Sequence, residues 1–229
     1  KKDGWYQKKK YPHFDLPLSF EEAEKLVTNP KTVATHAFYP FIAYDKTERK
    51  IKRVQKRRKS SNKQRPIRYA AHKDGYIYAY YSKFLTGLYE TKLKTLDIDE
   101  CVLAYRTDLG ESNIEFSHRA IEEIRKRGTC AVVTCDISGF YDSLDHRHLK
   151  KQWCELLGVE QLPQDHYNVF KSVTRYALVN RDECYDALGV EKRSKKNPRP
   201  APPPKPLCSE PAEYRERIRA GGLIHRNLD

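Results

Sequence analysis

Residues 131–149, AVVTCDISGFYDSLDHRHL, decide how the chain is read. The β-branched run before Asp136 predicts a buried strand over 130–136 that delivers a carboxylate at its C-terminal end. Ser138 and Gly139 then form a small-residue turn able to expose backbone amides, followed by two aromatic side chains, Phe140 and Tyr141. Chemically this is an oxygen donor for a hard cation beside an anion-cradling turn and a stacking surface. Spacing alone is equally compatible with an aspartate that only caps a turn. Asp145 stands where a helix N-cap belongs, ahead of Leu149, Trp153, Leu156 and Leu157, and Gly158 stops that helix.

Working outward, Asn113 is expected to cap a helix with Phe116, Ala120, Ile121 and Ile124 on one face, ending at Gly128. CVLAY (101–105) is expected to be a buried strand. Asp74 is expected to cap a helix through Leu93, with Tyr80 and Tyr81 in its core-facing stripe, and PIRYAAH before it to be a strand. Ser19 and Glu22 have capping-box spacing for a short helix that Asn29-Pro30 ends. Another helix is expected from Asp165 to about Leu178. Strands interleaved with amphipathic helices indicate an α/β or α+β domain with helices backing one sheet.

Charge is concentrated rather than spread. The 229 residues carry 44 Lys and Arg against 31 Asp and Glu, a formal +13. Residues 46–68, KTERKIKRVQKRRKSSNKQRPIR, hold twelve basic residues and one acid, and such a block is expected to stay flexible unless it meets phosphate. Lys52, Arg53, Lys56, Arg57, Arg58 and Lys59 are its densest part and the candidate nucleic-acid contacts. Seven of the thirteen prolines fall between Pro198 and Pro211, which favours an extended surface insertion. No apolar run reaches the roughly 18 residues of a membrane span, and the start lacks a secretory core. Six irregularly spaced cysteines without a CxxC pair suggest reduced thiols and a cytoplasmic location. Cys130 and Cys135 on one strand would face opposite sides, and the pair His146 and His148 is expected to meet solvent or substrate rather than zinc.

The 131–149 stretch closely resembles the first palm motif of reverse transcriptases, especially bacterial ones related to group II intron, retron and defence-associated enzymes. RPIRYAAHKDGYIYAYYSKFLTGLYE resembles the family's fingers motif, and VLAYR with NIEFSHRAIEEI the next block. The likeness covers residues 60–157 well. It implies an α+β fold of right-hand polymerase fingers and a partial palm, an antiparallel sheet backed by helices: an N-terminal segment with the basic block (1–59), fingers (60–128), first palm part (129–179), an insertion (180–211) and a palm continuation (212–229), with the thumb absent. It implies an RNA-directed DNA polymerase, of the anti-phage defence type by its DGYIYAYYS and VLAYR blocks, copying a structured non-coding RNA into cDNA from deoxynucleoside triphosphates. Asp136 and the carbonyl of Ile137 would be donors to Mg²⁺ in a two-metal site. Gly139 and Phe140 amides would touch triphosphate, Tyr141 would be the bulky gate against a 2′-hydroxyl, and Arg65, with Lys63 and Arg68 nearby, the triphosphate clamp. The adjacent carboxylate pair of the family is not in this sequence, so the chain is expected to be part of a longer enzyme. A group II intron or retron enzyme is the nearest alternative. A module that binds RNA through the basic block without catalysis is the alternative of another class.

Overall fold

The computed structural model describes residues 4–54, 57–106, 109–190, 206–208 and 210–227, with the side chains of 52–54, 57, 59 and 142 left aside. The fold is α+β, with a four-stranded mixed sheet and eight helices among the described residues. The elements are α1 (Phe20–Val27), α2 (Pro30–Ala34), β1 (Phe41–Val54), β2 (Arg57–Tyr69), α3 (His72–Thr95), α4 (Asn113–Arg127), α5 (His146–Leu157), α6 (Gln164–Thr174), β3 (Ala177–Asn180), α7 (Arg181–Ala187), α8 (Pro211–Glu213) and β4 (His225–Arg226). A 3₁₀ turn spans Phe140–Ser143, and α8 runs on as a π-helix over Tyr214–Ala220. The residues divide into two compact units, 1–80 with 163–229, and 81–162. No helix among the described residues is long and apolar enough to cross a membrane.

The first unit holds the sheet, in the order β2-β1-β3-β4. It is mixed rather than antiparallel throughout: β1 pairs with β3 in parallel, Ile42 opposite Val179, because the chain returns to β1 from the far side of a long connection. Residues 177–180 leave the helix predicted to reach Leu178, and Leu178 and Val179 pair with β1 instead. The core gathers Phe14, Ile42, Val179, Cys184, Leu207, Cys208 and Ile218. Part of the predicted surface insertion is therefore packed: Arg181–Ala187 is helical, and Leu207 and Cys208 are buried. Its proline-rich stretch from 198 to 205 lies outside the described residues.

Helix ends in this unit are held by side chains, some adjacent and some from far along the sequence. The Ser19–Glu22 capping box forms, with Glu22 N–H donating to Ser19 Oγ at 3.2 Å and Ser19 N–H to Glu22 at 2.8 Å. Asn29 ends nothing alone; its side chain caps α2, with Pro30 at the first helical position where no N–H is needed. Asn168 on α6 then donates to Val33 O and His36 O, at 2.8 and 2.9 Å, satisfying the carbonyls at the other end of α2. The start of α3 is capped by Asp15, which accepts from His72 N–H and Lys73 N–H at 2.8 and 2.9 Å. Asp74, predicted for that role, is buried, bonded to His36 Nε2 at 2.7 Å and to Tyr39 N–H at 2.9 Å.

His13 is fully buried, its Nδ1 accepting from Phe14 N–H at 2.9 Å and its Nε2 without a partner among the described residues. Burial, reinforced by His72, lowers its pKa to about 3. The unfolded chain therefore binds a proton near pH 6.5 that the folded chain refuses, so stability falls as pH drops through that value. Between pH 7 and pH 5 this amounts to about 2 kcal/mol. His13→Asn, which keeps an acceptor near Nδ1, is expected to remove that share from denaturant unfolding measured at the two pH values. His72 and His166, also shifted down by burial, leave a residual slope of the same sign.

The second unit is helical. In α4, Ser112 rather than Asn113 is the cap, and Gly128 ends the helix at φ 66°. Its predicted apolar face is uncovered: Ile121 and Ile124 are exposed, and no residue of α4 is buried. Neither predicted strand of this unit forms. Residues 130–136 are irregular and exposed, Val133 at 84%, because no strand among the described residues lies alongside to pair with them. Cys130 and Cys135 are accordingly both exposed rather than on opposite faces of a strand. Residues 101–105 are a loop organised by Arg106, whose side chain is fully buried. Its guanidinium pairs with Glu90 of α3 and donates to Asp99 O at 2.7 Å and Val102 O at 3.1 Å. Drawing those carbonyls inward is incompatible with an extended 101–105 segment.

Candidate functional site

The basic block is not a free loop. β1 and β2 pair in continuous antiparallel register from Ile42–Tyr69 to Val54–Arg57, so residues 46–54 and 57–65 form a two-stranded ribbon. Only the base of the ribbon is packed, through Ile42 in the core and Tyr44 beneath the Arg181 guanidinium, 4.2 Å from the ring centre. Backbone pairing and the ion pairs of Glu48 hold what is described of the rest, which is why a pattern of apolar residues could not foretell it.

Register places like charges opposite one another. Lys46 faces Arg65, Lys52 faces Lys59 and Arg53 faces Arg58. Such pairs oppose strand association unless counter-charge is supplied. Glu48, the sole acid among residues 46–68, supplies it once. Arg65 Nε donates to Glu48 Oε2 at 2.6 Å and Lys46 Nζ to Oε1 at 3.1 Å, and these bonds hold the carboxyl below its ordinary pKa. The predicted triphosphate clamp Arg65 is thus tied to a carboxylate, while Lys63, Arg68 and Arg58 are exposed. Lys52, Arg53, Arg57 and Lys59 lie on the ribbon by backbone register, and Lys56 falls outside the described residues.

Asp136, Ile137, Gly139, Phe140 and Tyr141 belong to the other unit. Asp136 is exposed, as is Ile137 at 64%. Gly139 adopts φ 62°, ψ 33°, a left-handed conformation that a side chain would strain. Its carbonyl accepts from Ser143 N–H at 3.0 Å and opens the 3₁₀ turn on which Phe140 and Tyr141 stand exposed, rings 5.3 Å apart and nearly perpendicular. Asp145 then caps α5, accepting from Arg147 N–H at 2.7 Å and His148 N–H at 3.2 Å, which hold its carboxyl below the usual range.

No family model matches the chain, and no curated protein matches it.

Two features of this turn were not anticipated from sequence. The Tyr141 hydroxyl meets that of Tyr105, a bond that raises the Tyr141 phenol's pKa. Tyr105 itself sits at φ 59°, unusual for an aromatic residue, immediately before the buried Arg106. VLAYR carried both residues in plain view, but nothing in the sequence distinguished a strand from an arginine-anchored loop. Asp136 and the Ile137 carbonyl are hard oxygen donors of the kind Mg²⁺ prefers. Among the described residues, however, no three His, Cys, Asp or Glu side chains converge on a metal-sized position. The residues present fit one edge of a magnesium site and do not by themselves fit a two-ion centre.

Proposed function

We propose that the chain belongs to an RNA-directed DNA polymerase of a bacterial system, of the anti-phage defence type, that copies a structured non-coding RNA into cDNA. One observation supports this reading: in the sequence Asp136, Ser138-Gly139, the Phe140–Tyr141 pair and Asp145 follow one another in the order of the palm motif that the stretch resembles, with both aromatic side chains exposed and Asp145 capping α5, although the strand before Asp136 does not form. Fingers and partial palm are the corresponding parts of a right-hand polymerase.

In this role each residue has a definable task. Asp136 and the Ile137 carbonyl offer oxygen ligands to Mg²⁺, which when bound supplies charge neutralisation at the reacting phosphate. The backbone at Gly139 approaches phosphate without a side chain in the way. Tyr141 presents a ring whose bulk excludes a 2′-hydroxyl, and Tyr105 holds that ring through its hydroxyl. Arg65 exchanges Glu48 for phosphate oxygens, with Lys63 and Arg68 as further cations on the same strand.

Primer extension on an RNA template by the polymerase that contains this chain tests the proposal. Deoxynucleotide incorporation is expected, and Tyr141→Val should relax discrimination against ribonucleotides by roughly 10–100-fold, the range open to one steric contact. Unchanged sugar selection would remove Tyr141 from this role. A non-catalytic RNA-binding module is the second reading, favoured by the basic ribbon, and RNA binding without any incorporation would select it.

A further inference from the structure

The ribbon's charge is distributed in a way that bears on what it grips. Cross-strand partners share a face, and faces alternate along each strand. Among the residues whose side chains are described, one face of the ribbon therefore carries Lys46, Lys50, Lys63 and Arg65, and the other Arg49 and Arg58, with Arg68 below them at the base opposite Ala43. Arg49, Lys50, Arg58, Lys63 and Arg68 are all exposed. Lying flat against one anionic surface would leave the cations of the other face without a phosphate. Cations on both faces suit a body seated between two phosphate backbones.

Residue composition points the same way. Between Asp45 and Arg65 there is no Phe, Tyr, Trp or His, although the chain as a whole has 16 Tyr and 8 Phe. Single-stranded nucleic acid is held by bases stacking on aromatic rings, and the ribbon offers none. The side chains other than cations are instead mostly short hydrogen-bonding ones, Thr47, Ser60, Ser61, Asn62 and Gln64, which suit phosphate and sugar oxygens. At about 3.4 Å per residue the ribbon reaches roughly 27 Å from Lys46 to Val54, most of one turn of a double helix.

We propose that the β1–β2 ribbon is a duplex-binding element that inserts between the two backbones of a double-stranded nucleic acid and reads no bases. This deepens the polymerase reading, since the duplex would be a structured template or the template–product hybrid, but the binding does not depend on catalysis. Glu48 is the internal anion that the duplex phosphates replace at Lys46.

The test is fluorescence anisotropy with the 229-residue chain, without nucleotides or metal, on a 20-base-pair RNA duplex, a DNA duplex of the same sequence and the corresponding single strands. Either duplex is expected to bind at least tenfold more tightly than its single strand, and the two duplexes together tell A-form from B-form preference. Lys50→Gln/Arg58→Gln/Lys63→Gln should flatten the log Kd against log salt slope for the duplex by about 2–3, three cations at roughly 0.9 each. Glu48→Gln should tighten duplex binding. Single strands bound as tightly as duplexes, or a triple variant with an unaltered slope, would overturn the proposal. Absence of primer extension by the polymerase that contains this chain, with duplex binding by the 229-residue chain intact, would strike the polymerase reading and leave the ribbon's role standing.

Discussion

Asp136→Asn is expected to reduce deoxynucleotide incorporation by at least about 10³-fold, roughly 4 kcal/mol of transition-state stabilisation. The substitution is nearly isosteric and replaces a charged oxygen by a neutral amide, which a magnesium ion tolerates poorly as a ligand. Asp136 is exposed and caps no helix, so the fold has little reason to notice the change. RNA affinity should stay within twofold, because the basic ribbon lies in the other compact unit. The measurement is primer extension beside filter or anisotropy binding, using the polymerase that contains this chain. Synthesis within tenfold of the parent would mean that Asp136 is a surface aspartate and the palm assignment fails.

The second large effect concerns stability. Glu90→Gln is expected to cost about 3 kcal/mol, the low end for breaking a buried ion pair, since Arg106 keeps two carbonyl acceptors. The Arg106 side chain is fully buried and Glu90's is 10% exposed, so water cannot take over the lost charge. Replacing both residues by apolar ones of similar size, Glu90→Leu with Arg106→Met, should recover most of the loss, because no unpaired ion is then left inside. Denaturant unfolding of the single and double variants decides the matter; a single variant within 1 kcal/mol of the parent would show that the pair does not organise the loop. The same substitution should loosen Tyr105, and with it the support for Tyr141.

How far sequence alone could see follows from what each element depends on. Ser19 with Glu22 and Asp145 with Gly158 depend on neighbours a few residues away, and each appears where local chemistry puts it; the stripe of α3 appears only in part, with Tyr81 buried and Tyr80 half-buried. The cap of α3 comes from Asp15, 57 residues upstream of His72, and periodicity around Asp74 could not reveal it. The ribbon was hidden by its composition, since twelve cations show no alternation of apolar and polar residues. Residues 130–136 have the composition of a buried strand, but burial needs a partner, and none of the described strands supplies one. For the site, the order of chemical groups from Asp136 to Asp145 was legible. The tie between Arg65 and Glu48, and that between Tyr141 and Tyr105, depend on strand register and on a left-handed residue. Neither can be read from one position at a time.

The parallel pairing of β1 with β3 has a consequence in time. β1 and β2 are joined by a short connection and can close into a hairpin within microseconds of leaving the ribosome. Among the described residues the other edge of β1 is paired only over Phe41–Ala43, opposite Leu178–Asn180, so its partner is made more than a hundred residues later. At ordinary elongation rates that edge stays open for on the order of ten seconds. Nascent chains on neighbouring ribosomes could add to it during that interval, and edge strands resist such pairing best when they carry charge. The cations that would grip a polyanion in the finished protein would therefore first keep its unfinished copies apart.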